Sequence, residues 1–402
     1  MFENIPKNWE KDKLKNILDI LRNGANIKQF DNADGIPISR IETIANGYVD
    51  FNKVGYANIY DDKYKDYYIQ KGDILLSHIN SVAHLGKCAF CNFDSKLIHG
   101  MNLLLLRANQ NILPKFLYYL LNSQILKKQL PSITKKSVNQ ASMSTTNLGN
   151  LNVIYPINKN EQQEIVDVLD AASEIIRLRT ACIESAQSLI PALFQEMFSQ
   201  YANSQNRTKL NYLFEFKSGG TPSKQVKEFF TGKIPWVTTI ALNKLFIDQN
   251  DANELITEDA IKKSSTKLIP ANSLLFGTRV GIGKLAINKV PMCTNQDIAA
   301  LIPLKNNNLN LIYTYWYLKQ INKFFVANGR GATIKGITTN LVKNTEIILP
   351  PMEQQELFAE KVQEIEAYIK TQQAELENAK TMFQSLLQHS FTGELTRRAY
   401  GE

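Results

Sequence analysis

Thr145-Thr146-Asn147-Leu148 returns as Thr338-Thr339-Asn340-Leu341. An apolar stretch and a proline follow each copy: Asn152-Val153-Ile154-Tyr155-Pro156, then Ile347-Ile348-Leu349-Pro350. Each proline leads into Glu-Gln-Gln-Glu, at 161–164 and 353–356, and each of these opens a long periodic segment. The repeat distance of 193 residues (145 to 338) is far beyond the ~20–50 residues of a solenoid unit. The chain is therefore read as a duplicated domain, each copy closed by a helix.

The repeat continues upstream more faintly. Gly35–Ile41 is matched by Lys233–Ile240, Gly72–Ser77 by Ala271–Gly277, and Leu85–Ala89 by Ile282–Ala286. Between these anchors the halves differ almost completely, so one scaffold carries two different surfaces. The boundaries expected are 1–155 for the first globular domain, 156–200 for the first helix, 201–350 for the second domain, and 351–402 for the second helix and tail.

The helices carry heptad seams. The first runs through Ile165, Leu169, Ala172, Ile176, Arg179, Ile183, Ala186, Ile190, Leu193 and Met197. The second runs through Phe358, Val362, Ile365, Ile369, Gln372, Leu376, Ala379, Phe383, Leu386 and Ser390. The polar interruptions Arg179 and Gln372 stand 193 apart, whereas the Glu-Gln-Gln-Glu motifs stand 192 apart (161 to 353), a slip of one residue. Helices of this length need a partner for their apolar face. Connectivity makes the pair antiparallel, so an antiparallel coiled coil with pseudo-two-fold symmetry is expected. The globular parts read as mixed α/β (α+β). Strands are expected at Ile36–Ile41, Asp73–Ser77, Lys87–Phe93, Leu103–Leu106 and Asn152–Tyr155. In the second copy they fall at Trp236–Ile240, Ser273–Gly277, Lys284–Ile287, Ala299–Pro303 and Glu346–Leu349. Aromatic-rich helices are expected at Pro114–Leu126 and Leu309–Phe325.

Composition narrows the class. The 402 residues are 44% hydrophobic, ample for two cores. No run approaches the ~18 apolar residues of a membrane span. The start, Met1–Lys7, lacks a signal-peptide h-region, and four irregularly spaced cysteines suit a reducing, cytoplasmic setting. A net charge of +8 favours a polyanionic partner.

No catalytic constellation is found. Gly277–Leu285 fails as a phosphate loop, because its glycines are one residue too far apart and Leu285 stands where Ser or Thr would bind the metal. Cys88 and Cys91 lie near His78, His84 and His99, but residues three apart on a strand point to opposite faces, so no metal site is expected. The chain reads as a recognition protein that binds no cofactor itself.

Two variable domains, each closing with Thr-Thr-Asn-Leu, an apolar strand, Pro, Glu-Gln-Gln-Glu and a long helix, resemble the specificity subunit of type I restriction–modification systems. The resemblance covers essentially the whole chain. It implies two readers of a split, asymmetric double-stranded DNA target and helices that act as a ruler. It also implies docking of two methyltransferase subunits, joined by two restriction (translocase) subunits. S-adenosylmethionine, ATP and Mg then belong to the partners. The first copy departs slightly, with Tyr155–Asn160 in place of the compact Leu349–Met352.

The DNA-contacting candidates lie in polar loops between the matched anchors. In the first domain they are Ser39, Arg40, Ser77, His78, Asn80, Lys87, Asn102, Lys135, Lys136 and Asn139. In the second they are Thr238, Thr239, Lys244, Thr278, Arg279, Lys284, Asn295, Gln296, Arg330, Thr333 and Lys335. Arg reads guanine bidentately and Asn or Gln reads adenine, while Lys135, Lys136 and Lys335 suit phosphate. Gly329, Gly331 and Gly336 indicate a loop that orders on DNA. Two other readings remain: a self-contained restriction or methylation enzyme, whose catalytic motifs should be visible, and a coiled-coil scaffold for protein alone.

Overall fold

The structure, a computed structural model, describes residues 5–6, 8–81, 84–136, 141–305, 308–331, 333 and 335–392. The chain divides into two compact units, 1–180 with 374–402, and 181–373.

In the first unit, Leu18–Asn23, Leu103–Ala108, Ile74–Ser77 and Cys88–Phe90 form an antiparallel sheet in that order. Its central strands read as apolar runs because both faces are buried. Alternation divides the residues between two cores. Ile74, Leu76, Leu104 and Leu106 face Phe116, Leu117 and Leu120 of the helix Pro114–Asn122. Leu75, Leu103 and Leu105 face the other way, onto Ile44, Ile69 and Leu97. The second unit repeats the plan with a five-stranded sheet: Phe214–Ser218, Ile298–Pro303, Leu274–Gly277, Leu285–Asn288 and Phe246–Ile247. Leu274, Phe276 and Leu301 face the aromatic helix Leu311–Gln320, while Leu275, Ala286 and Ala300 face a smaller core with Val237 and Met292. A four-stranded sheet, Glu254–Ile256, Ile234–Val237, Met292–Thr294 and Leu268–Ile269, completes this unit.

The expected strand at Ile36–Ile41 does not form. Ile38 makes isolated bridges to Gly55 and Ile98 only, because its neighbours are turns and loops that offer no ladder. Its counterpart Ile234–Val237 pairs on both edges. Both aromatic helices are interrupted: Ser123 turns extended after Asn122, and a break at Ile321 separates Leu311–Gln320 from Asn322–Ala327. Strands that were not legible in sequence include Trp9–Lys13, Leu18–Asn23, Arg207–Lys209 and Phe214–Ser218. Trp9–Lys13 and Arg207–Lys209 pair antiparallel with Asn152–Pro156 and Glu346–Ile348 respectively, tying the start of each copy to the strand before its long helix.

The matched backbone bonds give the true register of the repeat. Leu14 N donates to Leu151 O (2.9 Å) as Leu210 N does to Thr345 O (3.0 Å), an offset of 194 from 151 to 345. The short helices Thr145–Gly149 and Thr339–Lys343 are capped by Ser144 and Thr338, again 194 apart, so the quoted Thr-Thr-Asn-Leu motifs are displaced by one residue. The helix openings resolve the slip. Gln162 accepts from Leu113 N (2.8 Å) and donates to Pro156 O (2.9 Å) and Asn111 O (3.0 Å). Gln355, not Gln354, does this in the second copy, accepting from Asn310 N (2.9 Å) and donating to Pro350 O (2.8 Å) and Asn308 O (3.3 Å). That offset is 193 (162 to 355), the heptad offset, so the helix itself contains no slip. Two adjacent glutamines concealed which one is equivalent.

The long helices span Lys159–Phe198 and Met352–Ser390, 40 and 39 residues. Within the first unit Ile165, Val166 and Leu169 share a core with Leu387 and Phe391, while Arg179 pairs with Glu375. Within the second, Ile190, Phe194 and Phe198 share a core with Phe358, Ala359 and Val362, while Tyr368 meets Cys182 (3.8 Å). In each unit the two segments run antiparallel. Ile183 and Ile369 are buried; Ile176, Ile365, Leu376, Phe383 and Leu386 are half-buried. Towards each helix end the buried positions move on by one, to Phe194 and Phe198, and to Leu387 and Phe391. A straight α-helix drifts ~20° per heptad from a strict seven-residue repeat, which accumulates to about one residue over this length.

Candidate nucleic-acid interface

The second unit brings four of the expected loops together. Thr278 N and Oγ1 both donate to Asp297 O (2.8 and 3.0 Å). Thr239 Oγ1 donates to Val280 O (2.7 Å). Ile337 N donates to Thr278 O (2.9 Å), and Gly336 bridges both Arg279 and Arg330. Arg279 stands half-exposed with its Nε on Asp297 Oδ1 (2.8 Å), which leaves its outer nitrogens towards solvent. Lys284, Gln296, Arg330, Thr333 and Lys335 are exposed around it. Gln296 accepts from Thr221 Oγ1 (2.5 Å). Lys244 is held by Asp251 (2.8 Å).

Several expected contact residues are instead internal braces. Thr239, Thr278 and Asn295 are buried, with Asn295 Nδ2 on Asp297 Oδ2 (3.0 Å). Thr238, half-buried, uses its backbone N and its hydroxyl on Asn253 Oδ1 (2.7 and 3.0 Å). A buried hydroxyl spent on the protein cannot also read a base edge. Asp297, which sequence reading missed, organises the loops through both its carboxylate and its carbonyl. Its only signal was the turn-forming run Asn295-Gln296-Asp297.

The first unit repeats the frame with other side chains. Ser77 N donates to Lys87 O and Gly86 N to Ser77 O, both at 2.8 Å; Gly277, Lys284 and Gly283 make the same pair of bonds at 2.8 and 2.9 Å. Met143 N donates to His78 O (3.0 Å), as Ile337 N does to Thr278 O. A ribbon of Ile79–Asn80, Ala141–Ser142 and Lys135–Lys136 sets the two exposed lysines beside this hairpin. Lys87 Nζ reaches Ala45 O (3.5 Å), and Arg40 Nε donates to Gln29 Oε1. Asn102 is exposed; Ser39, Ser77 and His78 are buried, and Ser39 Oγ accepts from Gly100 N (3.0 Å). Burial lowers the His78 pKa. Asn139 and the side chain of Asn80 lie outside the described residues.

Cys88 and Cys91 belong to different cores, on opposite faces of the sheet, and burial pushes the Cys88 thiol up to about 12. His99 is fully buried with Nε2 on Leu103 O (2.9 Å), and burial pushes it from 6.5 down to about 4. The unfolded imidazole protonates near 6.5 but the folded one resists until about 4. Stability from this group is therefore complete above pH 6.5 and is lost as pH falls towards 4, by about 3 kcal/mol in all. Denaturation at pH 7 and pH 5 should show a steeper loss for the wild type than for His99→Gln; equal slopes would refute the assignment.

The sequence profile of the type I restriction modification DNA specificity domain matches residues 6–186 and 206–379. The chain belongs to this family of specificity subunits. It is 28% identical over 97% of its length to the chain assigned as the MjaX type I restriction enzyme specificity subunit of Methanocaldococcus jannaschii, covering 94% of that protein. It is 23% identical to the HindI specificity subunit of Haemophilus influenzae, over 78% of this chain and 83% of that one. The fold is similar to that of the S subunit of the type I system of M. genitalium, with a TM-score of 0.58 at 18% identity over 97% of both chains. The protein is thus a specificity subunit with two DNA-recognition domains. Among its described residues no helix is long and apolar enough to cross a membrane.

Proposed function

We propose that this specificity subunit reads a bipartite, asymmetric double-stranded DNA target, one half with each recognition domain, and performs no chemistry itself. The observation that supports this is the repeated hairpin-and-cap frame, Ser77/Lys87/Met143 against Gly277/Lys284/Ile337, which displays different exposed side chains in each copy. Shared bonds hold the loops, while divergent tips read different bases. Methyl transfer and cleavage then fall to two methyltransferase subunits and two restriction subunits, which carry S-adenosylmethionine, ATP and Mg. The complex works in the cytoplasm. Exposed apolar side chains on the long helices, Ile175 and Leu178 in one unit and Leu189 and Tyr368 in the other, suit docking of the methyltransferase subunits.

Arg279 tests the reading. With Asp297 steering its guanidinium, it suits a guanine edge. In a complex purified with the methyltransferase subunits, Arg279→Ala should relax specificity at one position of one half-site, by ~1–3 kcal/mol. Uniform weakening on all sequences would make it a phosphate contact. No change in either target binding or the methylated motif would remove this loop cluster from the interface.

A further inference from the structure

Three described non-glycine residues have positive φ: Asn58, Asn272 and Val280. Asparagine visits this region readily, whereas a β-branched residue is a true outlier there. Val280, at φ 45°, lies at the tip of the hairpin between Gly277 and Lys284. The turn around it is tightly determined. Gly281 has φ 115° and Gly283 has φ 76°, and a Cβ on Gly283 would collide with the Asn322 side chain. Thr239 clamps the Val280 carbonyl. Such strain persists only where the surroundings impose it, and it concentrates at functional sites.

The strained residue shows its side chain to solvent. Val280 is 52% exposed and Ile240, next to the clamping Thr239, is 69% exposed. Scattered exposed aliphatics are ordinary. These two are brought together by the Thr239–Val280 bond, beside Arg279 and Lys284. Basic side chains flanking an apolar tip match a DNA groove, where phosphates meet the cations and the one apolar group on a base edge is the thymine C5-methyl.

We propose that Val280 and Ile240 form an apolar contact that reads a thymine methyl group in the major groove of the half-site recognised by the second domain. This rests on the DNA-reading function above. It adds a specificity determinant that does not hydrogen-bond, and it accounts for valine where glycine would be unstrained.

The test uses the full chain in complex with its methyltransferase subunits and the target mapped from methylated adenines. Each thymine of the half-site that survives exchange of the first domain is replaced singly by deoxyuridine, and binding is read by fluorescence anisotropy. The wild-type complex should lose about four-fold in affinity at one or two positions, the effect of one buried methyl group. Val280→Gly, which relieves the backbone, and Ile240→Ala should bind thymine and uracil duplexes alike at those positions. Both should still prefer the mapped duplex to one carrying a substituted base pair at the other positions of the half-site. Indifference of the wild type to every uracil, a half-site without an A·T pair, or an undiminished methyl preference in both variants would overturn the proposal. If the wild-type complex bound mapped and scrambled duplexes equally, the DNA-reading function would fall first, and the methyl contact with it.

Discussion

Exchanging residues 18–143 for the matching segment of another specificity subunit is expected to change one half of the methylated DNA motif and leave the other half intact. The boundaries follow from the structure. They retain the ladder between Trp9–Lys13 and Asn152–Pro156, and the buried bond from Trp9 Nε1 to Glu161 Oε1 (2.8 Å), which hold the first domain to its helix. An exchange beginning at Trp9 would replace one side of that ladder. Base-edge contacts set sequence, whereas the length of the spacer sets separation along the duplex. Inserting one heptad in each long helix, after Thr180 and after Gln373, should therefore alter the gap and neither half-site. Mapping methylated adenines in cells carrying each variant is the measurement. A first-domain exchange that altered both halves would rule out independent readers.

Phe358→Ala is expected to destabilise the protein by about 3–5 kcal/mol. The Phe358 ring is fully buried, 5.4 Å from both Phe194 and Phe198, at the closure of the second unit's core on its helical segments. Its neighbour Leu357 is exposed, so Leu357→Ala should stay within about 0.5 kcal/mol of wild type. Urea denaturation followed by circular dichroism distinguishes them. Similar midpoints for the two variants would mean that the seam does not carry the packing assigned to it.

The duplication, the two long helices, the seam residues from Ile165 to Ile190 and from Phe358 to Ile369, and the buried strands Ile74–Ser77 and Leu274–Gly277 were all legible from repeated motifs, apolar runs and heptad periodicity. Periodicity is local, and so it survives in a single sequence. What depends on distant partners was not legible. Trp9–Lys13 carries four charged residues in succession after Trp9, with no apolar alternation, and it is a strand only because Asn152–Pro156 lies beside it. Ile36–Ile41 has a strand's composition and lacks a ladder. The offset of the repeat could not be settled by matching letters, since Gln162 and Gln355 are equivalent through the carbonyls and amides they reach, not through their place in Glu-Gln-Gln-Glu.

The interface divides in the same way. Residue type and loop position pointed to the segments around 278–284, 295–297 and 330–336, and backbone bonds gather these three segments in one place. Which side chains in those segments face outward is a property of the assembled loops. Thr239, Thr278 and Asn295 turn inward to make buried hydrogen bonds, Asp297 becomes the hub for Thr278, Asn295 and Arg279, and Ile240 and Val280 are left exposed beside Arg279. A polar side chain's direction is decided by whichever partner comes within ~3 Å, and here those partners lie up to 41 residues away in the chain, from Thr239 to Val280.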